Sequence, residues 1–274
     1  GYKVGTEALF ELGCEVVSIH KDPDGTNINE NCGAMFPNEM ALKTKEEKAD
    51  LGIALDGDAD RVVFSDENGN LIDCDQILGV LALNLYNQKE LKNNTVVGTI
   101  MTNIGFENFL NDNNINLKRV NVGDRYILDE MLNNNYNLGG EPSGHVIMSD
   151  HTKSGDGLLT AIKIISLLKK SGKKSSEFLR PFSIIPYKIK NLKKINNYIL
   201  ETESVKNSLK KIHLDLKNKH NGRLLVRPSG TEPIVRILVE CEYNDKIDQY
   251  ISKVQDLLVK ENSSEWINTK HQEF

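Results

Sequence analysis

Short apolar segments alternate with amphipathic segments of about ten or more residues through much of this chain, and no other feature limits its possible folds as strongly. Strands are predicted at residues 50–55, 95–99 and 117–121, and helices between them at 75–91 and 105–113. Strands separated by helices of this length form βαβ units, in which the connecting helix lets neighbouring strands run parallel. The sequence therefore predicts an α/β fold built from mixed, mostly parallel βαβ domains.

Further elements are predicted on either side of this pattern. They are helices at 4–12, 37–48, 125–133 and 157–170, and strands at 15–19, 62–64 and 137–139. The segment 50–55 is apolar almost throughout, which is typical of a buried parallel strand. Glu67-Asn-Gly-Asn70 has the composition of a hairpin turn.

The composition changes between residues 173 and 194, where lysines are frequent and two prolines interrupt regular structure. Beyond this segment the pattern predicts a smaller α+β domain with an antiparallel strand pair. Its expected elements are a helix at 195–211, strands at 223–227 and 234–240, and a helix at 246–260. We therefore expect three domains, covering residues 1–70, 71–182 and 187–274.

Charge and composition argue against two classes of partner. The 274 residues carry a net charge of -5 with an isoelectric point near 5.8, whereas a nucleic-acid-binding protein needs a basic face. No apolar run reaches the ~18 residues of a membrane-spanning helix. We therefore expect neither a nucleic acid nor a membrane as partner. The cysteines are widely spaced and lack zinc-binding spacing, so free thiols in the cytoplasm are expected.

The sharpest motif is Asp56-Gly-Asp-Ala-Asp-Arg61, directly after the predicted strand 50–55. Carboxylates at alternate positions of an extended segment point to one side, where they repel one another unless a cation lies between them. Mg²⁺ prefers oxygen ligands of this kind, so Asp56, Asp58 and Asp60 are predicted to bind it. Arg61 is placed to contact a phosphate that shares the ion.

Three other interpretations of this motif are open. An EF-hand loop also begins with alternating aspartates, but its sixth position needs glycine and here holds Arg61. A phosphatase with a nucleophilic aspartate after a strand usually has Thr or Val where Asp60 stands. A solvated acidic turn would need no ligand.

A second motif, Arg227-Pro-Ser-Gly-Thr-Glu-Pro233, lies between two predicted strands. Ser229 and Thr231 supply hydroxyls, and Gly230 lets backbone amides approach an anion. The guanidinium of Arg227 adds charge and a fork of donors, so the segment suits a phosphate. An ordinary hairpin turn explains the same residues equally well.

A third motif, Gly139-Gly-Glu-Pro-Ser-Gly-His145, follows a short predicted strand. Glu141 and Ser143 can hydrogen-bond the hydroxyls of a sugar. His145 can donate to a phosphate or transfer a proton. A glycine-rich loop with a capping serine is the competing interpretation.

Two shorter segments complete the set of candidates. Gly123-Asp-Arg125 lies at a predicted strand-to-helix turn, where α/β proteins commonly bind ligands. Asp124 and Arg125 are therefore candidate substrate-binding residues. Asp156 is predicted to cap the helix at 157–170.

Together these motifs resemble those of the α-D-phosphohexomutase family, whose members have four domains. The acidic motif resembles the family's metal-binding loop, Glu141-Pro-Ser-Gly-His145 its sugar-binding loop, and Arg227-Pro-Ser-Gly-Thr231 its phosphate-binding loop. The motifs come in the family's order, and the resemblance runs from residue 1 to about 260. It is greatest to bacterial members that act on hexosamine phosphates, although Pro142 stands where those members usually have Gln.

The resemblance implies a reaction and its partners. In this family a phosphoserine transfers its phosphoryl group to a sugar monophosphate, and the resulting sugar bisphosphate returns its other phosphoryl group. Interconversion of glucosamine 6-phosphate and glucosamine 1-phosphate is expected, with mannose or glucose phosphates, or phosphosugar binding without catalysis, as alternatives. The resemblance places Mg²⁺ and Arg61 at the transferring group and leaves His145 as the candidate acid–base residue.

The start of the chain predicts a fragment. It begins with Gly1 rather than Met, and its first predicted element is a helix that belongs inside a βαβ unit. The family's phosphoserine lies in a first domain that no segment here matches. We therefore expect that the first domain and the opening of the second are missing, and that this chain alone has no mutase activity.

Overall fold

The computed structural model describes residues 1–229 and 234–270, and the chain divides into two compact units, Gly1–Ile184 and Ile185–Phe274. In the first unit the helices are α1 (Val4–Glu11), α2 (Asn38–Glu46), α3 (Cys74–Asn87), α4 (Ile104–Asp112), α5 (Asp124–Asn133), α6 (Gly157–Ser171) and α7 (Ser175–Phe178). Its strands are β1 (Leu51–Leu55), β2 (Val62–Asp66), β3 (Leu71–Ile72), β4 (Thr95–Thr99), β5 (Asn116–Val120), β6 (Leu138–Gly140) and β7 (Val146–Met148).

The second unit is smaller. Its regular elements are β8 (Tyr187–Lys193), α8 (Glu203–His220), β9 (Arg223–Pro228), β10 (Ile234–Glu240) and α9 (Asn244–Lys270). Within the described parts of both units, no helix combines the length and apolar character that crossing a bilayer requires.

The first sheet is antiparallel and presents the acidic loop at one end. Its strand order is β1-β2-β3, and the β1–β2 pairing ends at Leu55 opposite Val62, so residues 56–61 form the connecting loop. The predicted parallel pairing of segment 50–55 is therefore wrong. An apolar run indicates that both faces of a strand are covered, but it does not fix the direction of the neighbouring strand.

The predicted hairpin turn is confirmed between β2 and β3. Asp66 accepts hydrogen bonds from the backbone amides of Asn68 and Asn70, both at 2.9 Å. Gly69 has a φ of +79°, a left-handed conformation that glycine adopts without strain. This turn fixes the register of β2 and, through it, the position of the acidic loop.

The second sheet contains the parallel pairs. Its order is β5-β4-β6-β7, in which β4 runs parallel to β5 and β6, and β7 returns antiparallel to β6. A continuous apolar core joins both sheets of this unit. Its buried members include Phe64, Leu78, Val96, Leu138 and Ile164. The predicted α/β class, with parallel pairing and a smaller C-terminal α+β region, is confirmed.

The second unit is a three-stranded antiparallel sheet, in the order β8-β10-β9, packed against α8 and α9. The central strand β10 supplies buried Val235, Ile237 and Val239. Tyr250 and Val254 of α9 complete the core. The predicted strand pair β9–β10 is confirmed, whereas β8 lies in the lysine-rich segment 173–194, for which no strand was predicted.

Other elements differ from the sequence-based prediction. Residues 15–19 form no strand, because in the described residues no strand pairs with them, and an extended segment becomes a strand only through such pairing. The helix expected at 195–211 is α8, Glu203–His220. It starts after Thr202, whose hydroxyl accepts from the amide of Val205 at 3.4 Å. The final helix is also longer than the predicted 246–260.

Candidate functional site

The acidic loop is held in a tight conformation by its neighbours. Ala59 has a φ of +57°, and its amide donates to the carbonyl of Asp56 at 3.1 Å. The amide of Gly157, at the start of α6, donates to the carbonyl of Ala59 at 2.8 Å. A Cβ at Gly57 would lie 2.5 Å from Cδ1 of Ile28, so a larger residue there would displace that side chain. Backbone contacts therefore shape the loop before any ligand is considered.

The loop brings three carboxylates together. Ligand oxygens of Asp56, Asp58 and Asp60 all lie within 4.8 Å of one another. Arg61 faces Asp56 twice: its backbone amide donates to Oδ1 at 3.1 Å, and its Nε lies 2.7 Å from Oδ2. Because the Asp56 side chain is only 1% exposed, this ion pair is largely shielded from solvent.

The charges of the cluster shift two pKa values. Burial, together with the hydrogen bond and charge of Asp56, raises the pKa of Asp60. Burial works against ionisation of Arg61, but the carboxylates of Asp56 and Asp60 outweigh it and raise the pKa of the guanidinium. The loop therefore concentrates negative charge that one arginine only partly compensates, and a cation would relieve the rest.

The third motif forms the turn between β6 and β7. Glu141 donates from its amide to the carbonyl of His145 at 3.0 Å, and the amide of Gly144 returns a bond to the carbonyl of Glu141 at 3.1 Å. At the exposed tip, the hydroxyl of Ser143 donates to Oε1 of Glu141 at 2.8 Å. The carboxylate and the hydroxyl are thus held side by side where a ligand can reach them.

This turn lies against the acidic loop. Arg61 and His145 form an antiparallel bridge, and the amide of Val62 donates to the carbonyl of Gly144 at 3.0 Å. A Cβ at Gly144 would lie 2.5 Å from the carbonyl oxygen of Val62, and its φ of +97° also requires glycine. The structure therefore brings the first and third motifs into one site.

A side chain also joins the two loops. Nδ1 of His145 lies 3.1 Å from Oδ2 of Asp60. The histidine is 4% exposed, and its Nε2 is buried without a hydrogen-bond partner among the described residues. A buried imidazole nitrogen that faces a carboxylate is held in one orientation.

The second motif lies in the other unit, at the end of the β9–β10 ladder. Arg227 on β9 lies directly opposite Arg236 on β10, and the amide of Ser229 donates to the carbonyl of Ile234 at 2.8 Å. Burial, followed by the charge of Arg236, lowers the pKa of Arg227. Gly230 and Thr231 lie outside the described residues.

The remaining candidates are placed separately. Asp124 and Arg125 open α5, where the Arg125 side chain is 88% exposed and lies 3.7 Å from Asp129. The strand-to-helix position predicted for them is confirmed, and their role as ligand-binding residues stays a prediction. Asp156 caps α6, as predicted: its Oδ1 accepts from the amide of Leu159 at 2.8 Å.

Two residues beside the site were not predicted. Gly155 packs on the ring of His145, where a Cβ would lie 2.3 Å from Cε1. Met35 approaches Arg61, with Sδ 3.4 Å from Nη1. The glycine-rich sequence Ser154-Gly-Asp-Gly157 was a signal for close packing at Gly155, whereas nothing in the sequence indicated the methionine.

The donor set of the acidic loop fits a hard divalent cation. All of the grouped ligand atoms are carboxylate oxygens, which Mg²⁺ and Ca²⁺ prefer over nitrogen or sulfur. Asp58 is exposed and Asp60 is partly exposed, so their oxygens can be reached from solvent. The residues present can therefore hold a metal ion.

Almost the whole chain matches models of known protein families. Three family models match in order: phosphoglucomutase/phosphomannomutase alpha/beta/alpha domain II at residues 1–69, alpha/beta/alpha domain III at 73–183, and the C-terminal domain at 188–257. Among curated proteins, the phosphoglucosamine mutase of Rhizobium johnstonii is 42% identical over 92% of this chain, and that of Brucella anthropi 41% over 96%. The chain covers only 56% and 58% of the length of these two relatives.

Solved structures show the same fold. A phosphoglucomutase/phosphomannomutase family protein from Burkholderia thailandensis matches 94% of this chain with a TM-score of 0.75 at 21% identity, and 57% of its own chain is covered. The N-acetylphosphoglucosamine mutase of Aspergillus fumigatus, in complex with GlcNAc-6P and magnesium, matches 85% of this chain with a TM-score of 0.66 at 18% identity, and 54% of its own chain is covered. This chain belongs to the phosphoglucomutase/phosphomannomutase family, within the α-D-phosphohexomutase superfamily.

Proposed function

We propose that this chain is the phosphosugar-handling part of a phosphoglucosamine mutase, which interconverts glucosamine 6-phosphate and glucosamine 1-phosphate. The observation that carries the proposal is the junction between the acidic loop and the β6–β7 turn. There, the loop whose carboxylates suit a cation is paired with the turn that carries Glu141 and Ser143, which suit a sugar. Relatives that carry this name are 42% and 41% identical to the chain.

Mg²⁺ is the cation that we assign to Asp56, Asp58 and Asp60. When bound, it would neutralise negative charge on a transferring phosphoryl group. Arg61 supports the same step from the protein side, since its guanidinium keeps its charge and lies at the rim of the cluster. The alternative of a nucleophilic Asp56 is weaker, because both of its oxygens already face Arg61.

Recognition of the sugar falls to Glu141 and Ser143 in this proposal. Their mutual hydrogen bond of 2.8 Å holds the carboxylate ready to accept from ring hydroxyls, while the serine oxygen can also accept. The amino group of glucosamine would be favoured by the carboxylate charge. The same pair can serve either orientation of the sugar, which a reaction through a sugar bisphosphate requires.

The phosphate that does not react is assigned to Arg227, Ser229, Gly230 and Thr231. Support comes from the two arginines that face each other on the β9–β10 ladder, because an anion beside them would offset their repulsion. Binding at a phosphate remote from the chemistry supplies energy that orients the reacting end. Asp124 and Arg125 are proposed as further substrate contacts at the start of α5.

The proposal extends to the whole protein. The phosphoserine would come from a first domain not present in this sequence, and the sugar bisphosphate would be the intermediate. We assign the mutase domains to residues 1–70, 71–182 and 187–274. We place the enzyme in the cytoplasm, which the free state of all four cysteines supports.

Calorimetric titration of the chain tests this function. We expect glucosamine 1-phosphate to bind more tightly than mannose 1-phosphate, and more tightly with Mg²⁺ than without. Arg227→Ala should weaken binding about tenfold or more, because a hydrogen bond to a charged group contributes about 1.5–3 kcal/mol. Lys190→Ala is the matched control, since it removes a positive charge from an exposed position of β8 in the same unit.

The results separate the alternatives. Equal binding of both sugars would contradict the assignment to glucosamine phosphates while keeping a phosphosugar site. Equal losses in Arg227→Ala and Lys190→Ala would contradict the phosphate site. A folded chain that binds neither sugar would overturn the proposal for this chain.

A further inference from the structure

A side-chain contact joins the β6–β7 turn to a proposed metal ligand. Nδ1 of His145 lies 3.1 Å from Oδ2 of Asp60, while Oδ1 of Asp60 faces Nε of Arg61 at 3.4 Å. Each carboxylate oxygen has two lone pairs, so these contacts leave Asp60 able to bind a cation. They also hold the carboxylate from both sides in one orientation.

The imidazole is itself fixed by its surroundings. The backbone of His145 is bridged to that of Arg61, and the side chain is 5% exposed. Gly155 lies so close to the ring that a Cβ would be 2.3 Å from Cε1 and 2.6 Å from Nδ1. Gly155 does not have a positive φ, so the ring, and not the backbone conformation, accounts for glycine at this position.

We propose that His145 is a positioning residue for the metal site: it donates from Nδ1 to Asp60 and so fixes that carboxylate toward the divalent cation, and Gly155 provides the room that this ring orientation needs. This role rests on the metal site proposed above. Partners that hydrogen-bond a metal ligand fix its orientation, and their loss typically lowers metal affinity about 10–100-fold.

The environment of the second ring nitrogen favours positioning over proton transfer. If Nδ1 donates to Asp60, Nε2 is the acceptor of the neutral ring, and it is buried without a partner among the described residues. An acid–base group must reach the proton that it transfers, directly or through one water. Here one nitrogen is engaged by a carboxylate and the other is enclosed by the protein.

Titration of the chain with Mn²⁺, followed by electron paramagnetic resonance, tests this role without any turnover. Mn²⁺ accepts the same oxygen ligands as Mg²⁺. His145→Leu and His145→Asn form a matched pair of similar size, of which only Asn retains a donor near the position of Nδ1. We expect Leu to weaken Mn²⁺ binding about 10–100-fold and Asn to stay within about threefold of wild type. His151→Leu, at an exposed histidine of the same unit, should have no effect.

A double-mutant cycle tests whether Gly155 affects metal binding through the ring of His145. Gly155→Ala should displace the ring and weaken Mn²⁺ binding about as much as His145→Leu does. In the His145→Asn background the smaller side chain leaves space for the new methyl group, so Gly155→Ala should then cost little. This cycle also keeps the proposal testable if His145→Leu fails to fold.

The outcomes distinguish the two proposals. Wild-type binding of Mn²⁺ that is lost in Asp58→Asn supports the metal site, and its absence would overturn both the site and the role of His145. If the site binds Mn²⁺ but the Leu and Asn variants weaken it equally, the hydrogen bond to Asp60 is not the cause, and the positioning role is wrong. Unchanged affinity in both variants would overturn it as well.

Discussion

The acidic loop of the first unit and the arginine pair of the second both place like charges close together, but the side chains described next to these charges differ. In the acidic loop, Arg61 lies 2.7 Å from Asp56, and His145 lies 3.1 Å from Asp60. On the β9–β10 ladder, Arg227 instead faces Arg236, and its pKa is lowered by burial and by the charge of that arginine.

The two sites therefore differ in the charge that stands next to each key side chain: opposite in the acidic loop, and like in the arginine pair. The chain supplies one counter-charge, Arg61, and a hydrogen bond from His145 to the acidic loop, so the carboxylates are held in position before a cation binds. Like charges directly opposite each other across two strands are destabilising, and burial together with the charge of Arg236 lowers the pKa of Arg227, so loss of the Arg227 charge should relieve repulsion. We therefore expect the protein to become less stable when Arg61 is removed from the acidic loop by mutation. We expect it to become more stable when Arg227 is removed from the arginine pair.

The largest effect is expected for Arg61→Ala. Removing one partner of a buried ion pair costs about 3–5 kcal/mol, because the remaining charge is left unpaired. The Arg61 side chain is 34% exposed and water can replace part of it, so we expect the free energy of unfolding to fall by about 2 kcal/mol. Urea unfolding of the chain, followed by circular dichroism, measures the change.

Arg125→Ala is the control for this prediction. It removes the same side chain from the exposed surface of α5, where an ion pair to Asp129 at 3.7 Å should contribute at most about 0.5 kcal/mol. Equal destabilisation by Arg61→Ala and Arg125→Ala would show that the acidic loop does not depend on the charge of Arg61. The proposed difference between the acidic loop and the arginine pair would then be wrong.

A smaller effect is expected at Glu67, whose carboxylate ties the β2–β3 turn to α7. Its Oε2 accepts from the hydroxyl of Ser175 at 2.7 Å and from the amide of Ser176 at 2.9 Å. Burial opposes ionisation, but hydrogen bonds from Ser176 and Ser175 outweigh it and lower the pKa of Glu67 to about 2. The folded state therefore favours the ionised carboxylate.

The sign of the pH dependence follows from this lowered pKa. Glu67 contributes its full stability above the ordinary pKa of 4.5, and the contribution is lost as the pH falls toward 2. Solvent screening reduces it to about 1 kcal/mol. The difference in unfolding free energy between wild type and Glu67→Gln should therefore be largest near pH 6 and shrink below about pH 4. A difference in unfolding free energy that does not change with pH would contradict this role of Glu67. An equal pH dependence for Glu11→Gln, at an exposed residue, would also contradict it.

Local patterns predicted the parts of the fold that depend on neighbouring residues. The β2–β3 turn, the cap of Asp156 and helices such as α4 all follow from residues a few positions apart. Strand 15–19 was predicted wrongly, and the pairing direction of β1 as well, because both depend on which segment lies alongside. β8 was missed because its lysine-rich sequence is that of an exposed edge strand, which resembles a linker.

The candidate site, too, could be predicted only where it depends on residues close together in the sequence. The spacing of Asp56, Asp58 and Asp60 predicted a cluster of carboxylates, and the structure groups their oxygens. The contact between Asp60 and His145 joins residues that are 85 positions apart, so no local pattern could have predicted it. The close packing of Gly155 on that histidine depends on the same tertiary contact.

The smallest effect is expected for Arg227→Met, which should raise the free energy of unfolding, whereas Arg61→Ala should lower it. Arg227→Met keeps most of the apolar stem of the side chain and removes the charge that faces Arg236 across the ladder. Without a ligand, we expect the second unit to gain about 0.5 kcal/mol in free energy of unfolding, the size of a like-charge cross-strand pair. With saturating glucosamine 1-phosphate the order should reverse, because wild type binds the anion and the variant does not. Paired urea titrations, with and without the sugar phosphate, measure both signs, and Lys190→Met in the same sheet controls for net charge. If Arg227→Met instead lowers the free energy of unfolding without ligand, contacts within the protein stabilise Arg227 by more than repulsion from Arg236 destabilises it. The expected difference in sign between Arg61 and Arg227 would then be wrong.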